Sequence, residues 1–151
     1  MNVYDSRVVS NHLVEAASQD DNLLTPMQVL KLVYIAHGYN LGFHKTPLIK
    51  NRIEAWKYGP VIPDLYQAIK HRRDQPVELL PVNGLVPMDE DDKAFVSAVY
   101  KAYRDYDGIE LSALTHQDGT PWDLVYDKRF ANEVISNDII ENHYKGLIAG
   151  Q

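Results

Sequence analysis

Apolar and polar positions recur along most of this chain at the spacing of helices. After Asp5 and Ser6, either of which can cap a helix, Val8, Val9, His12, Leu13 and Ala16 follow one face to about Ser18. The polar run Gln19 to Asn22 ends that pattern. Thr25 opens a second helix in a capping-box arrangement: its hydroxyl can accept from the amide of Gln28, and the Gln28 side chain can reach back to the Thr25 amide. Pro26 stands at the first helical position, where a missing N–H costs nothing. Leu30, Val33, Tyr34, His37 and Leu41 form one stripe, and Val29, Leu32, Ile35 and Ala36 widen it until most of the helix is apolar. Such a helix is expected at the centre of the core. Gly42 is a candidate stop, with Pro47 beyond it.

Ile53 to Tyr58 alternates in the manner of a short strand, and Gly59-Pro60 turns the chain. Pro63 and Asp64 begin another helix with Leu65, Ala68 and Ile69 on its face. Lys70-His71-Arg72-Arg73 then put positive charge at its end, where the helix dipole favours it. Pro76 to Pro87 reads as a strand or an irregular loop with a turn at Asn83-Gly84. Asp89 to Tyr106 predicts a long amphipathic helix and Glu110 to His116 a short one, while Trp122 to Tyr126 is helical or turn-like. Ser136 can cap a final helix carrying Ile139, Ile140, Tyr144 and Leu147. The expected fold is α+β and mainly α-helical: a single compact domain over residues 1–151, with about six helices and a small sheet or hairpin.

Composition narrows the class without changing this picture. The 151 residues are 45% hydrophobic and 24% charged, which is ordinary for a chain that buries a core. The formal net charge is −6, so nonspecific nucleic-acid binding, which draws on basic residues, is disfavoured and a basic partner is suited. There is no cysteine, hence no disulfide framework and no thiolate. The N-terminus lacks the pattern of a signal peptide, and no apolar run approaches the ~20 residues of a membrane-spanning helix. A soluble cytoplasmic protein with no membrane association is expected.

Candidate chemistry is sparse. The run Asp89-Glu90-Asp91-Asp92 fits the acidic first turn of a helix and lacks the ligand pattern of a calcium loop. His37 and His44 are seven apart rather than four, and His12, His71 and His143 are isolated, so neither a metal nor another cofactor is expected. Ser112 and His116 form an i, i+4 pair with no third group to orient the imidazole, and no glycine-rich phosphate loop is present. No enzymatic activity is expected. The most distinctive stretch is instead Thr25 to Tyr66, where Tyr34, Trp56, Tyr58 and Tyr66 gather around two turn-forming sites. A rigid Gly-Pro turn carrying tyrosines suits a protein interface, since tyrosine supplies large contact area at low entropic cost. Tyr58, Gly59, Pro60, Asp64 and Tyr66 are the candidate partner-binding residues, and Trp56 is expected to pack mainly into the core against the second helix.

LKLVYIAHGYNLGF, IEAWKYGPVIPDLY, ELSALTHQDGTPW and the closing ISNDIIENHY, taken in order, resemble the Panacea domain, the SocA-like antitoxin family that also includes phage-associated GepA-like proteins. The resemblance spans about Val9 to Tyr144. Its most specific element is the box Ala55 to Val61, preceded by Leu32 to Gly38 and followed by His116 with Pro121-Trp122. Tyr34, His37, Gly38, Trp56, His116 and Trp122 are the motif residues, for which a structural role is expected.

The resemblance implies a mainly helical domain with a small sheet, encoded by bacteria or their phages. It implies an antitoxin that neutralises a cognate toxin, encoded beside it, by direct contact. The alternative it leaves open is a phage or prophage accessory protein, or an adaptor that hands a client to a protease. Some relatives carry an added DNA-binding module, for which Met1 to Asp5 and Lys145 to Gln151 leave no room, so direct nucleic-acid binding is not expected.

Overall fold

The computed structural model describes residues 2–130 and 132–150. Among these residues it is mainly helical, with seven α-helices and one small antiparallel sheet. Helix α1 (Ser6–Gln19) is capped by Asp5, whose side chain accepts from the Arg7 amide. Just before it, Tyr4 forms a parallel bridge to Ile49, donating to the Leu48 carbonyl at 2.8 Å and accepting from the Lys50 amide at 2.9 Å.

Helix α2 (Pro26–His44) begins in the expected capping box, with both reciprocal bonds between Thr25 and Gln28 formed. It does not stop at Gly42. It continues one residue past Phe43 to His44 and ends on Lys45, which adopts a left-handed φ of 62°. Gly42 lies inside the helix because α7 (Asn137–Ala149) presses against it: a Cβ there would stand 2.8 Å from Cδ1 of Ile148. The glycine serves close helix packing rather than termination.

Strand β1 (Glu54–Trp56) pairs antiparallel with β2 (Gly59–Val61) on one side and β3 (Glu133–Val134) on the other. The first pair is the expected hairpin, with Trp56 opposite Gly59. β3 escapes a reading of the sequence because two exposed residues are too few to display alternation. Helix α3 (Pro63–Ile69) continues into a 3-10 turn at Lys70–Arg72. Residues 76–87 are irregular and are fastened by side chains: Asn11 brackets Leu80, donating to its carbonyl at 2.9 Å and accepting from its amide at 2.8 Å.

Helix α4 (Glu90–Tyr103) absorbs the acidic run into its start. Asp89 accepts from the Asp92 amide, and the buried Asp92 carboxylate accepts from the Tyr4 hydroxyl at 2.6 Å. The helix ends before Tyr106, and Asp107 then caps α5 (Gly108–Thr115) in a second capping box with Glu110. The one-turn α6 (Pro121–Val125) starts at Thr120. Helix α2, buried along most of its length, is the axis of the core and packs against α7, α5, α1, α4, β2 and α3. No described helix is long and apolar enough to cross a membrane.

Candidate functional site

The β1–β2 turn is held at three backbone carbonyls by side chains from three different helices. The indole Nε1 of Trp122 on α6 donates to the Trp56 carbonyl, Ser112 Oγ on α5 donates to Tyr58 at 2.7 Å, and Lys31 Nζ on α2 donates to Pro60 at 2.7 Å. Gly59 sits between them with φ 119°, a conformation that side chains strain against. A Cβ on it would also come within 3.1 Å of Lys31 Nζ and 3.6 Å of Thr115 Oγ1. Trp122 is braced in turn, stacked on Tyr126 at 4.6 Å and set edge-on to His116 at 5.2 Å.

His116 closes α5, its Nδ1 bonded to the carbonyl of Ser112. The Ser112 hydroxyl gives its proton to Tyr58, not to an imidazole, so the two residues are arranged as supports of the hairpin rather than as a nucleophile and its base.

The second motif, on α2, is equally committed to packing. His37 is buried, its Nδ1 accepts from the amides of Leu48 and Ile49 at 3.2 Å each, and its Nε2 meets Asn137 Oδ1 at 2.9 Å. Nδ1 is therefore the acceptor and Nε2 carries the proton. Desolvation lowers the imidazole pKa from 6.5 to about 4. Tyr34 lies edge-on to Tyr144 of α7 with centroids 6.3 Å apart, and Gly38 lets that tyrosine approach.

Beside the hairpin opens a cleft of about 400 Å³. Pro26, Met27, Leu30 and Val61 supply apolar wall, and Trp56, Tyr58 and Tyr66 supply the rings. Trp56 is half-buried, edge-on to Tyr66 at 5.2 Å, with its Nε1 donating to Glu54 at 2.9 Å. This corrects the expectation of a core tryptophan: the short strand ends on it, so one side of the ring faces the cleft. Tyr58, at the tip, is 67% exposed.

Of the residues expected to bind a partner, Tyr58 and Tyr66 line this cleft and Gly59 and Pro60 form the turn beside it. Asp64 does not join them. It accepts from Asn51 Nδ2 at 2.9 Å and lies 3.9 Å from Arg52, in a separate polar cluster.

The cleft is also basic. Lys31, Lys57, Lys70 and Arg73 line it, and no Asp or Glu does. From sequence Lys70 and Arg73 are helix-terminal charges; in the fold Arg73, with φ 57°, turns the chain and both residues line the cleft. The Lys70 ammonium lies 5.9 Å from the Tyr66 ring centre, and that of Lys57 lies 5.3 Å from Tyr58. Burial lowers the Lys31 pKa to about 8. A sequence signal for Lys31 did exist: it is the one Lys, Arg, Asp or Glu between Pro26 and His44.

A second hollow of about 400 Å³, between α2 and α4, is walled by Tyr39, Phe43, Phe95 and Tyr103 and has no charged lining. Among the described residues no three His, Cys, Asp or Glu side chains converge as a metal site would require.

Comparison with known proteins places these features. The family model described as antitoxin SocA-like, Panacea domain, matches residues 29–123, a span that holds the hairpin, the cleft lysine and all three carbonyl donors. Antitoxin SocA of Caulobacter vibrioides (strain NA1000 / CB15N) is 30% identical over 131 residues, covering 80% of this chain and 70% of that protein. No solved structure matches. With most of its length matched by the family model and a relative 30% identical over most of the chain, the protein belongs to the SocA-like Panacea domain family.

Proposed function

We propose that this protein is an antitoxin that neutralises a cognate protein toxin, encoded beside it, by direct binding. The contact face is the hairpin turn with its cleft: Tyr58, Gly59, Pro60 and Tyr66, with Asp64 at the periphery. Membership of an antitoxin family supports the role. The observation that carries the choice of face is the triple anchoring of the turn, which presents the exposed Tyr58 from a backbone ordered in advance. An interface ordered before binding loses less entropy on association, and tyrosines at such positions are frequent anchors.

Binding rather than catalysis is the activity, since Ser112 and His116 are both occupied in supporting the hairpin. The partner is a protein; the net charge of −6 disfavours a polyanion.

Co-expression with the product of the adjacent gene tests the role. The expected result is rescue of growth and co-purification of the two chains. Tyr66→Ala and Asp64→Ala test the face: each should fold, with Tyr66→Ala weakening neutralisation strongly and Asp64→Ala less. Normal neutralisation by both variants would move the interface elsewhere, with the acidic start of α4 the next surface to try.

A further inference from the structure

Lys31 is 4% exposed, yet it lies in a wall of the cleft. An ammonium group has three N–H donors, and within the described structure this one makes a single hydrogen bond, to the uncharged Pro60 carbonyl. No carboxylate pairs with it among the described residues. Burying a cation without an opposite charge is unfavourable, so a position that retains one calls for a further partner. Lys57, Lys70 and Arg73 add three cations at the same cleft, and none of them is ion-paired among the described residues. In a chain of net charge −6 this is a local reversal of sign. A cleft of one charge with apolar walls concentrates the opposite charge.

We propose that the cleft receives a carboxylate borne on an apolar segment of the protein partner. The carboxylate meets Lys31, and its apolar neighbours pack against Trp56, Tyr58 and Tyr66. The protein source rests on the antitoxin reading above, whereas the carboxylate itself rests on the cleft. A segment fits better than a free small anion because part of the apolar lining stands out at the surface, where it can pack against side chains flanking the carboxylate: Met27 and Tyr58 are 42% and 67% exposed. Phosphate is the weaker candidate, since the lining contains no glycine-rich loop to point amides at its oxygens.

The arrangement predicts a linked proton. The charged and titratable groups that line the cleft with Lys31 are Lys57 and Tyr58 from the hairpin, and Tyr66, Lys70 and Arg73 from α3 and the turn after it. None is a carboxylate that could pair with the Lys31 ammonium in the free protein. Its pKa of about 8 should rise when a carboxylate arrives, so binding should weaken as pH climbs past 8.

The test is a titration of the full chain with indole-3-propionate and, separately, with its neutral amide, at pH 7 and pH 9. The acid should bind roughly tenfold more tightly than the amide at pH 7, as a charge-assisted bond implies, and the advantage should shrink at pH 9. Lys31→Met should remove the preference and weaken toxin binding by a similar factor.

Equal binding of acid and amide, no binding of either, or a preference that survives Lys31→Met would overturn the proposal. Inorganic phosphate displacing the acid at lower concentration would overturn the choice of carboxylate. Should Lys31→Met fail to fold, the wild-type comparison still decides, and the exposed pair Lys70→Gln with Arg73→Gln should reduce the preference. A wild-type protein that neutralises its toxin but shows no acid preference sinks this inference alone. One that prefers the acid but captures no toxin sinks the antitoxin reading and removes the toxin as the source of the carboxylate.

Discussion

Gly38 and Tyr144 meet so closely that no Cβ fits between them: one built on Gly38 would lie 2.2 Å from Cε2 of the tyrosine ring. One turn further along α2, Gly42 makes the same allowance for Ile148. The two glycines set how near α7 approaches the central helix. Tyr144 has little room to withdraw, being buried and edge-on to both Tyr34 and Tyr39. Gly38→Ala should therefore destabilise the protein by about 3 kcal/mol, the upper range for overpacking against a rigid neighbour. Urea unfolding measures it, and an unchanged midpoint would show that the α2–α7 contact yields.

His37 should make stability depend on pH in a defined window. Its folded pKa of about 4 lies below the ordinary 6.5, so the unfolded chain binds the extra proton between those values. Stability from this residue is complete above about pH 6.5 and is lost as pH falls toward 4, by up to roughly 3 kcal/mol. His12 and His143 are also lowered by burial and act in the same direction. A His37→Gln variant isolates the share of His37: its unfolding free energy should vary less between pH 7 and pH 4 than that of the wild type. Identical slopes would remove His37 as a source.

Lys31→Met offers a separate reading of why a cation is buried in the central helix. Replacing it with an apolar side chain of similar length removes the desolvation cost but leaves the Pro60 carbonyl without its donor. The two effects oppose, and the variant should match wild-type stability at pH 7 within about 1 kcal/mol or exceed it. Calorimetry decides. A large loss of stability would mean that Lys31 is kept for the fold.

The hairpin anchor should be separable from the core. Ser112→Ala removes the donor to the Tyr58 carbonyl and should cost about 1 kcal/mol. Amide exchange at residues 56–59 should accelerate more than exchange in α2, because the turn loses one of its three anchors while the core keeps its contacts. Uniform acceleration across both regions would show instead that the turn opens only with the whole protein.

The sequence alone determined the elements whose signals lie within one turn of chain. Thr25 and Gln28 sit three residues apart, so their reciprocal bonds, and hence the start of α2, depend on nothing distant. The same holds for Asp5 before α1 and Ser136 before α7. The family was legible too, since the Ala55–Val61 box and the Leu32–Gly38 motif are contiguous. What the motif residues touch was not. Gly42 looks like a helix stop until α7, a hundred residues on, is found against it.

Lys31 stands out as the lone charge of an apolar helix, but what it meets, a carbonyl 29 residues away, is set only by the tertiary fold. Lys70 and Arg73 satisfy the dipole argument from sequence, yet the packing of α3 beside the hairpin puts both in the cleft lining. Capping and periodicity act through bonds between near neighbours and so are written locally. The cleft exists only because α2, α3 and α5 converge on one turn, and that convergence is settled by how the whole core packs around α2.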